Sequence, residues 1–204
     1  MSREVHAGFC ERREVQSLPP TRLVIVCTSR EQAEAALTLA GDILGGLGLQ
    51  LHPGKTKIVD LRGGREGFDF LGCHFHARMS GRLWEQRGIR RYYLHRWPSP
   101  KAMKRLREKI HDRTDRRYAG TDIRVVIDGL NPILRGWGNY FRTGNAHQKF
   151  RQIDRYVVQR LRHLMILKRG RNLRAGQAIA WTEEWFNGHG LYRLRGTIRY
   201  PKAA

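Results

Sequence analysis

One group of side chains has the residue types of a zinc site. Cys73, His74 and His76 are close in sequence, and His52 precedes them. Thiolate and imidazole are zinc ligands, but structural zinc normally takes four ligands at regular spacing, and the chain has no Cys-x-x-Cys pair. The alternation of a strand explains the pattern equally, because it sends Cys73 to one face and the two neighbouring histidines to the other. We therefore predict a strand here and no metal site.

Two aspartates have the chemistry for acid–base catalysis or a two-metal site. Asp60 and Asp69 are each isolated among apolar residues of a predicted strand, so a place at the edge of a hairpin accounts for both. The chain has no Gly-x-Ser-x-Gly motif and no Gly-x-x-x-x-Gly-Lys loop. Ser-His-Asp and Cys-His arrangements stay open. No cofactor is predicted for this chain, and its sequence favours binding over catalysis.

The charge balance favours a polyanionic partner. Lys and Arg number 39 against 18 acidic residues, which gives a net charge of +21. The acids are too few to pair with the bases, and such a field attracts nucleic acid. An anionic membrane surface is the weaker alternative, because the basic residues are spread along the chain and no apolar run is long enough to span a bilayer. We predict RNA or another nucleic acid, and no membrane.

The termini and cysteines predict a cytoplasmic protein. Residues 1–20 contain no apolar core of a secretory signal. The three cysteines are odd in number and far apart, which favours a reducing compartment over a disulfide framework.

Periodicity divides the chain into an α+β part and a helical part. Residues 1–21 show no period and are predicted to be a tail. Residues 23–27 predict a buried strand, and Ser29 begins a helix that Gly48 ends. Residues 57–61 and 67–76 predict a hairpin joined at Gly63-Gly64, with 89–94 as a third strand.

After residue 97 the pattern becomes helical and basic. Ser99-Pro100 starts one helix, Thr121 caps a second, and a third spans about 146–169. Pro132 is expected to kink or break the second helix. Each helix has one apolar stripe and many basic residues, which is typical of a small bundle. A short helix around 182–186 and an extended segment over 191–200 follow.

Residues 130–142 combine Pro132, Gly136 and Gly138 with aromatic and basic side chains. Each glycine costs a helix about 1 kcal/mol relative to alanine, so a plain core helix has no need for them. We predict that the backbone is closely approached there or that the helix bends, and that Trp137 contacts a ligand rather than serving only as a core anchor.

Several segments together resemble the C-terminal half of a bacterial group II intron reverse transcriptase/maturase, a mobile-element protein. The matching segments, in consistent order, are residues 24–37, 47–59, 67–72, 97–101, 130–142 and 191–201. The resemblance implies an α+β chain: an unmatched tail at 1–21, an incomplete palm-type sheet at 22–97 made of a strand, a helix and a hairpin, a three-helix thumb/maturase (X) bundle at 98–170, and a short C-terminal extension at 171–204. Phe70, Leu71 and Gly72 would then lie at a primer-grip-like hairpin.

The chain departs from this family at the catalytic motif. The family's Tyr-Ala-Asp-Asp turn, whose aspartates hold two Mg²⁺ ions, falls on Pro19, Pro20, Thr21 and Arg22. Neither a hydroxyl nor a guanidinium replaces a carboxylate, and the fingers and first part of the palm have no counterpart. The resemblance therefore implies a truncated or rearranged copy without catalytic residues, and no attached HNH-type endonuclease.

The leading hypothesis is an RNA-binding maturase-type domain that assists intron folding and splicing. The alternatives are the C-terminal part of an RNA-directed DNA polymerase, active only with a separate N-terminal fragment, and a non-functional remnant. Basic helix faces would neutralise phosphates while aromatic side chains stack. The expected RNA contacts are Lys101, Lys104, Arg105, Arg135, Trp137, Tyr140, Arg142, Lys149, Arg151 and Arg155.

Overall fold

The computed structural model describes residues 4–11 and 21–199. The chain forms two compact units, residues 1–95 and residues 96–204. The first unit is built mainly of strands and the second mainly of helices, so the predicted α+β class is confirmed.

The first sheet of the N-terminal unit is centred on β1, Glu4–Glu11. Strand β2, Thr21–Cys27, pairs antiparallel along one side of β1. Two short strands, β3 (Gln50–Leu51) and β4 (Lys57–Val59), pair with successive parts of its other side. The prediction of an unstructured tail over residues 1–21 is therefore wrong for β1, which is the central strand of this sheet.

Helix α1, Arg30–Gly46, follows β2 and begins as predicted at Ser29. The Ser29 side chain accepts a hydrogen bond from the backbone N–H of Gln32. The Gln32 side chain reaches back to accept from the backbone N–H of Thr28 at 3.1 Å. Two amide donors at the helix start are thereby satisfied.

The second sheet has the order β5 (Gly67–Phe70), β6 (Cys73–Met79) and β7 (Tyr92–Pro98), with helix α2 (Gly81–Arg87) between the last two strands. The third strand of the predicted meander is thus present. The predicted hairpin partner is wrong, because residues 57–59 pair with β1 and the hairpin lies within residues 67–79. Leu71 and Gly72, with φ of 46° and 76°, form its two-residue turn.

Three long helices build the C-terminal unit: α3 (Pro100–Arg113), α4 (Ile123–Phe141) and α5 (His147–Arg169). A short helix, α6 (Glu183–Gly188), follows them. The predicted bundle of three helices is present, and each helix contributes its apolar stripe to one core. Fully buried core side chains are Ile110, Ile127, Leu130, Leu134, Phe150, Ile153, Val157, Leu161, Leu164, Phe186 and Leu194.

Helix α4 continues through Pro132, so of the predicted kink or break the break is wrong, and the kink stays a prediction. Leu130 and Leu134 on either side of it are buried in the core. The Asn131 side chain donates to the carbonyl oxygen of Gly190 at 2.9 Å and accepts from the N–H of Tyr192 at 2.8 Å. These contacts hold the helical path against the cost of about 3 kcal/mol that an internal proline carries. The helix is capped by Asp122, one residue later than predicted.

Residues 191–199 form no strand, and they are held to the bundle by hydrogen bonds from their backbone. The N–H groups of Leu194 and Arg195 donate to the two carboxylate oxygens of Asp154, at 3.0 and 2.9 Å. The N–H of Arg199 donates to the carbonyl oxygen of Arg142 at 2.8 Å. We name residues 190–199 the C-terminal strap. None of the helices in the described part of the chain has the length and apolar character that a bilayer crossing requires.

Candidate nucleic-acid interface

A cleft of about 460 Å³ lies between helices α3 and α4. The α3 wall includes Arg105 and Lys109, and the α4 wall includes Gly136, Trp137 and Tyr140. The remaining lining residues are Ala102, Leu106, Pro132, Ile133 and Phe141. Two cations therefore line the cleft together with three aromatic residues and several aliphatic ones, and no acidic side chain is among the described residues that line it.

The helical period explains how these side chains reach the cleft. Met103, Leu106 and Ile110 are buried and fix which face of α3 meets the bundle. Arg105 and Lys109 are four residues apart, so they project from the same exposed side of that helix. Cations at this spacing, next to an aromatic surface, suit an anionic and planar ligand.

Trp137 and Tyr140, two of the three aromatic residues of the cleft, have different surroundings. Trp137 is half-buried and packs against Phe141 and Phe150, with ring centroids 4.8 and 5.4 Å apart. Its indole Nε1 is buried and has no hydrogen-bond partner among the residues that the structure describes. Tyr140 is 56% exposed and meets Phe141 edge to face. The Trp137 ring thus packs into the wall of the cleft, whereas the Tyr140 ring has an accessible face on which a base could stack.

The two glycines of this segment serve different purposes. A Cβ at Gly136 would meet no atom within 4 Å, so the α4 backbone is open at this position of the cleft. A Cβ at Gly138 would lie 2.6 Å from a methyl carbon of Leu194. The close approach predicted for both glycines is therefore made, at Gly138, by the protein's own C-terminal strap.

Two predicted RNA contacts on α4 lie outside the cleft. The Arg135 guanidinium stacks over the Tyr192 ring, with 4.9 Å between its Cζ and the ring centroid. Arg142 is half-buried at the C-terminal cap of α4, where its carbonyl accepts from the strap. Both residues are in place to hold the strap, which the sequence does not reveal because the contacts join distant segments.

The other predicted contacts are on the polar faces of α3 and α5. Lys101 and Lys104 are exposed on α3, and Lys104 lies 4.0 Å from Glu108. On α5, Arg151 and Arg155 are exposed, while Lys149 is half-buried. None of these residues lines the α3–α4 cleft.

Some basic residues of α5 are structural, although their spacing resembles that of the exposed ones. The Arg160 guanidinium donates to the hydroxyl and carbonyl oxygens of Thr114, at 3.1 and 3.0 Å. Arg162 donates twice to the carbonyl of Trp181. Lys168 donates to the carbonyl of Thr121 at 2.9 Å. These side chains satisfy carbonyl groups near the ends of other elements, so only part of the basic pattern is available to a ligand.

Asp154 is the key polar residue that sequence reasoning missed. It is 6% exposed on the core face of α5, and the strap donates two backbone hydrogen bonds to it. Burial raises the pKa of the Asp154 carboxyl, with nearby Glu183 acting in the same direction, against those two hydrogen bonds and the Arg195 charge, which lower it. Arg195 also contacts Glu183. The available signal was an aspartate between Ile153 and Val157 in an otherwise apolar stripe.

The primer-grip-like residues lie in the other unit, at the tip of the β5–β6 hairpin. Phe70 ends β5, and Leu71 and Gly72 form the turn. Leu71 is 55% exposed with a positive φ, which is uncommon for a residue with a branched side chain. The hairpin turn lies at Leu71 and Gly72, and the primer-grip-like role of these residues stays a prediction.

The side chains of the possible zinc and carboxylate sites have other partners. His74 Nδ1 lies 2.6 Å from a carboxylate oxygen of Asp69, and the His74 ring stacks with that of His76. The hydrogen bond from Arg62 lowers the pKa of Asp60. Nowhere in the described residues do three or more His, Cys, Asp or Glu side chains gather as a metal site would require.

The residues at the expected magnesium positions do not fit that ion. Thr21 and Arg22, at the start of β2, have no carboxylate to offer.

A comparison with protein-family models gives a match that lies within the helical unit. Residues 103–179 match the family model described as group II intron, maturase-specific domain. This span contains most of α3, all of α4 and α5, and both walls of the cleft except Ala102. No curated protein matches the chain significantly. Residues 103–179 are therefore similar to the group II intron maturase-specific domain, and this match is consistent with the C-terminal maturase or thumb region of a group II intron reverse transcriptase.

Proposed function

We propose that this chain binds group II intron RNA through the α3–α4 cleft and assists the folding and splicing of that RNA as a binding protein. The observation that carries the proposal is the placement of Arg105 and Lys109 beside Tyr140 within the maturase-specific domain. The two cations neutralise consecutive phosphates, and an unpaired base stacks on the Tyr140 ring.

The net charge of +21 supports the same partner. It attracts RNA over a distance set by the salt concentration, and the cleft then selects nucleotides whose bases are unstacked. Polymerase chemistry is not part of the proposal, because Thr21 and Arg22 stand where the resemblance expects carboxylates. We expect no primer extension by this chain on an RNA template in the presence of Mg²⁺.

The test compares two double variants of α3 that remove equal charge. Arg105→Gln with Lys109→Gln changes the cleft, while Lys101→Gln with Lys104→Gln changes exposed residues of the same helix outside it. We expect the cleft pair to weaken binding of group II intron RNA at least tenfold more, measured by fluorescence anisotropy at fixed salt. Equal losses in the two variants would contradict the cleft as the binding site.

The stacking contribution is tested at Tyr140, whose ring is the exposed one. Replacing it in Tyr140→Leu should weaken RNA binding by about 1–3 kcal/mol, roughly 5- to 150-fold, because the stacking face is lost. Tyr140→Phe keeps the ring and should bind nearly as wild type. The same variants, assayed for splicing of a group II intron at low Mg²⁺, should rank in the order of their affinities.

A further inference from the structure

A second basic site lies at the C-terminal end of α5, at the far end of the bundle from the cleft. A cavity of about 700 Å³ is lined there by the side chains of Arg169, Arg171 and Arg174 together with Asn172, Leu173 and Gln177. We name it the arginine pocket. No acidic residue lines it, and none of the three arginines forms an ion pair with another residue in the described part of the chain. The maturase-specific domain includes all six lining residues.

The basic side chains of this pocket have different surroundings from the structural basic side chains nearby. Arg160, Arg162 and Lys168 each donate to a backbone carbonyl of another segment. The three pocket arginines are exposed, and all three line the same concave surface. Guanidinium groups present planar forks of donors that match phosphate oxygens in pairs.

The order of the helices places the arginine pocket and the cleft at opposite ends of α4. Lys168, at the end of α5, bonds the carbonyl of Thr121 just before α4 begins. Phe150, near the start of α5, packs on Trp137 near the end of α4. Residues 123 and 137 of α4 are fourteen residues apart, about 21 Å along the helix. This length corresponds to roughly six phosphates at the 3.4 Å axial spacing of a stacked strand.

We propose that the arginine pocket binds the phosphate backbone of RNA, and that one RNA strand reaches both this pocket and the α3–α4 cleft. The proposal rests on the proposed function, since it assumes that RNA occupies the cleft. It predicts a minimum length: a strand of about four nucleotides contacts one of the two sites, whereas one of about twelve contacts both.

The test uses the full chain and three variants that change three arginines each. The pocket variant is Arg169→Gln, Arg171→Gln and Arg174→Gln. The control variant, with the same charge loss, replaces exposed arginines of the other unit: Arg82→Gln, Arg87→Gln and Arg91→Gln. A third variant, the lysine variant, is Arg169→Lys, Arg171→Lys and Arg174→Lys, and it keeps the charge but loses the planar fork.

Single-stranded RNAs of about four and about twelve nucleotides are titrated by anisotropy over a range of salt. For wild type and control, affinity should rise at least tenfold on lengthening. The pocket variant should lose most of that gain, and its slope of log affinity against log salt should be shallower by about 2, or about 0.7 for each lost contact. The lysine variant should keep the slope, which shows that a folded pocket carries the effect.

Two failures are distinguishable. If the pocket and control variants lose affinity equally, while the cleft variants described above still weaken binding, the arginine pocket is not an RNA site and the proposed function stands. If the wild-type chain binds neither RNA, or the cleft variants bind as wild type, the proposed function itself is wrong.

Discussion

Gly136 and Gly138 are neighbours on α4, yet a methyl group added to each would meet opposite surroundings. At Gly136 it would enter open space, so Gly136→Ala should stabilise the protein by about 1 kcal/mol through helix propensity. At Gly138 it would displace Leu194, which is fully buried, so Gly138→Ala should destabilise by about 1–3 kcal/mol. Urea unfolding followed by circular dichroism measures both. The same sign for the two variants would contradict the packing of the strap on α4.

The buried carboxyl of Asp154 makes stability depend on pH. Its pKa in the folded chain is raised above the ordinary 3.8, so the folded chain holds this proton more tightly than the unfolded chain. The stability that the proton contributes is fully present below the unfolded pKa, and it is lost as the pH rises through the folded pKa. The amide of Asp154→Asn does not titrate, so the stability advantage of wild type over this variant should shrink with rising pH.

The measurement is the free energy of unfolding of both proteins, from about pH 3.5 upward through the acidic range. Asp128→Asn, at an exposed position of α4, serves as the control and should follow the wild-type profile. A constant difference between wild type and Asp154→Asn at all pH values would show that the carboxyl has no raised pKa.

At the scale of elements, local signals predicted the helices well. Ser99 and Pro100 located the start of α3 to the residue, because an N-cap hydroxyl followed by proline has few other uses. The apolar period of α5 gave its length within a residue at each end. Such signals are contained in a few consecutive residues, so they need no knowledge of the rest of the fold.

Elements that depend on distant partners were the ones mispredicted. Strand β1 carries Val5, Ala7 and Phe9 at alternate positions, a signal that its charged and glycine neighbours obscured. Residues 57–61 were paired with the wrong strand, because pairing is decided by the whole sheet. The helix continues through Pro132 because the neighbouring leucines are buried and Asn131 contacts the strap.

The candidate site was predictable in composition but not in arrangement. Basic and aromatic residue types pointed to nucleic acid, and the structure brings Arg105 together with Trp137 and Tyr140. In the structure Arg135 stacks over Tyr192 of the strap. Lys109 and the residues of the arginine pocket join the candidate site, although the sequence did not single them out. Exposed and structural arginines have the same helical spacing, so only the contacts made across the fold separate them.

At the scale of the whole molecule, the net charge of +21 should give salt two opposite effects. Like charges repel one another in the folded chain, so screening should raise the melting temperature between about 50 and 300 mM NaCl. The same screening should weaken RNA binding. The pocket variant, with three fewer positive charges, should show a smaller rise in melting temperature. A melting temperature that falls with added salt would mean that the charges are paired attractively.

The C-terminal strap also sets the order in which the domain can assemble as the ribosome makes it. Helices α3 and α4 form the walls of the cleft, and Phe150 packs against Trp137 in one of them. The walls are therefore present soon after the first residues of α5 leave the ribosome. The space beside Gly138 is filled only after Leu194 has been made. Asp154 accepts its two backbone hydrogen bonds only after Leu194 and Arg195 have been made. During translation the nascent chain therefore carries a nearly complete cleft on a bundle that is not yet closed. If the cleft binds RNA as we propose, RNA bound there would hold α3 and α4 together until the strap has been made.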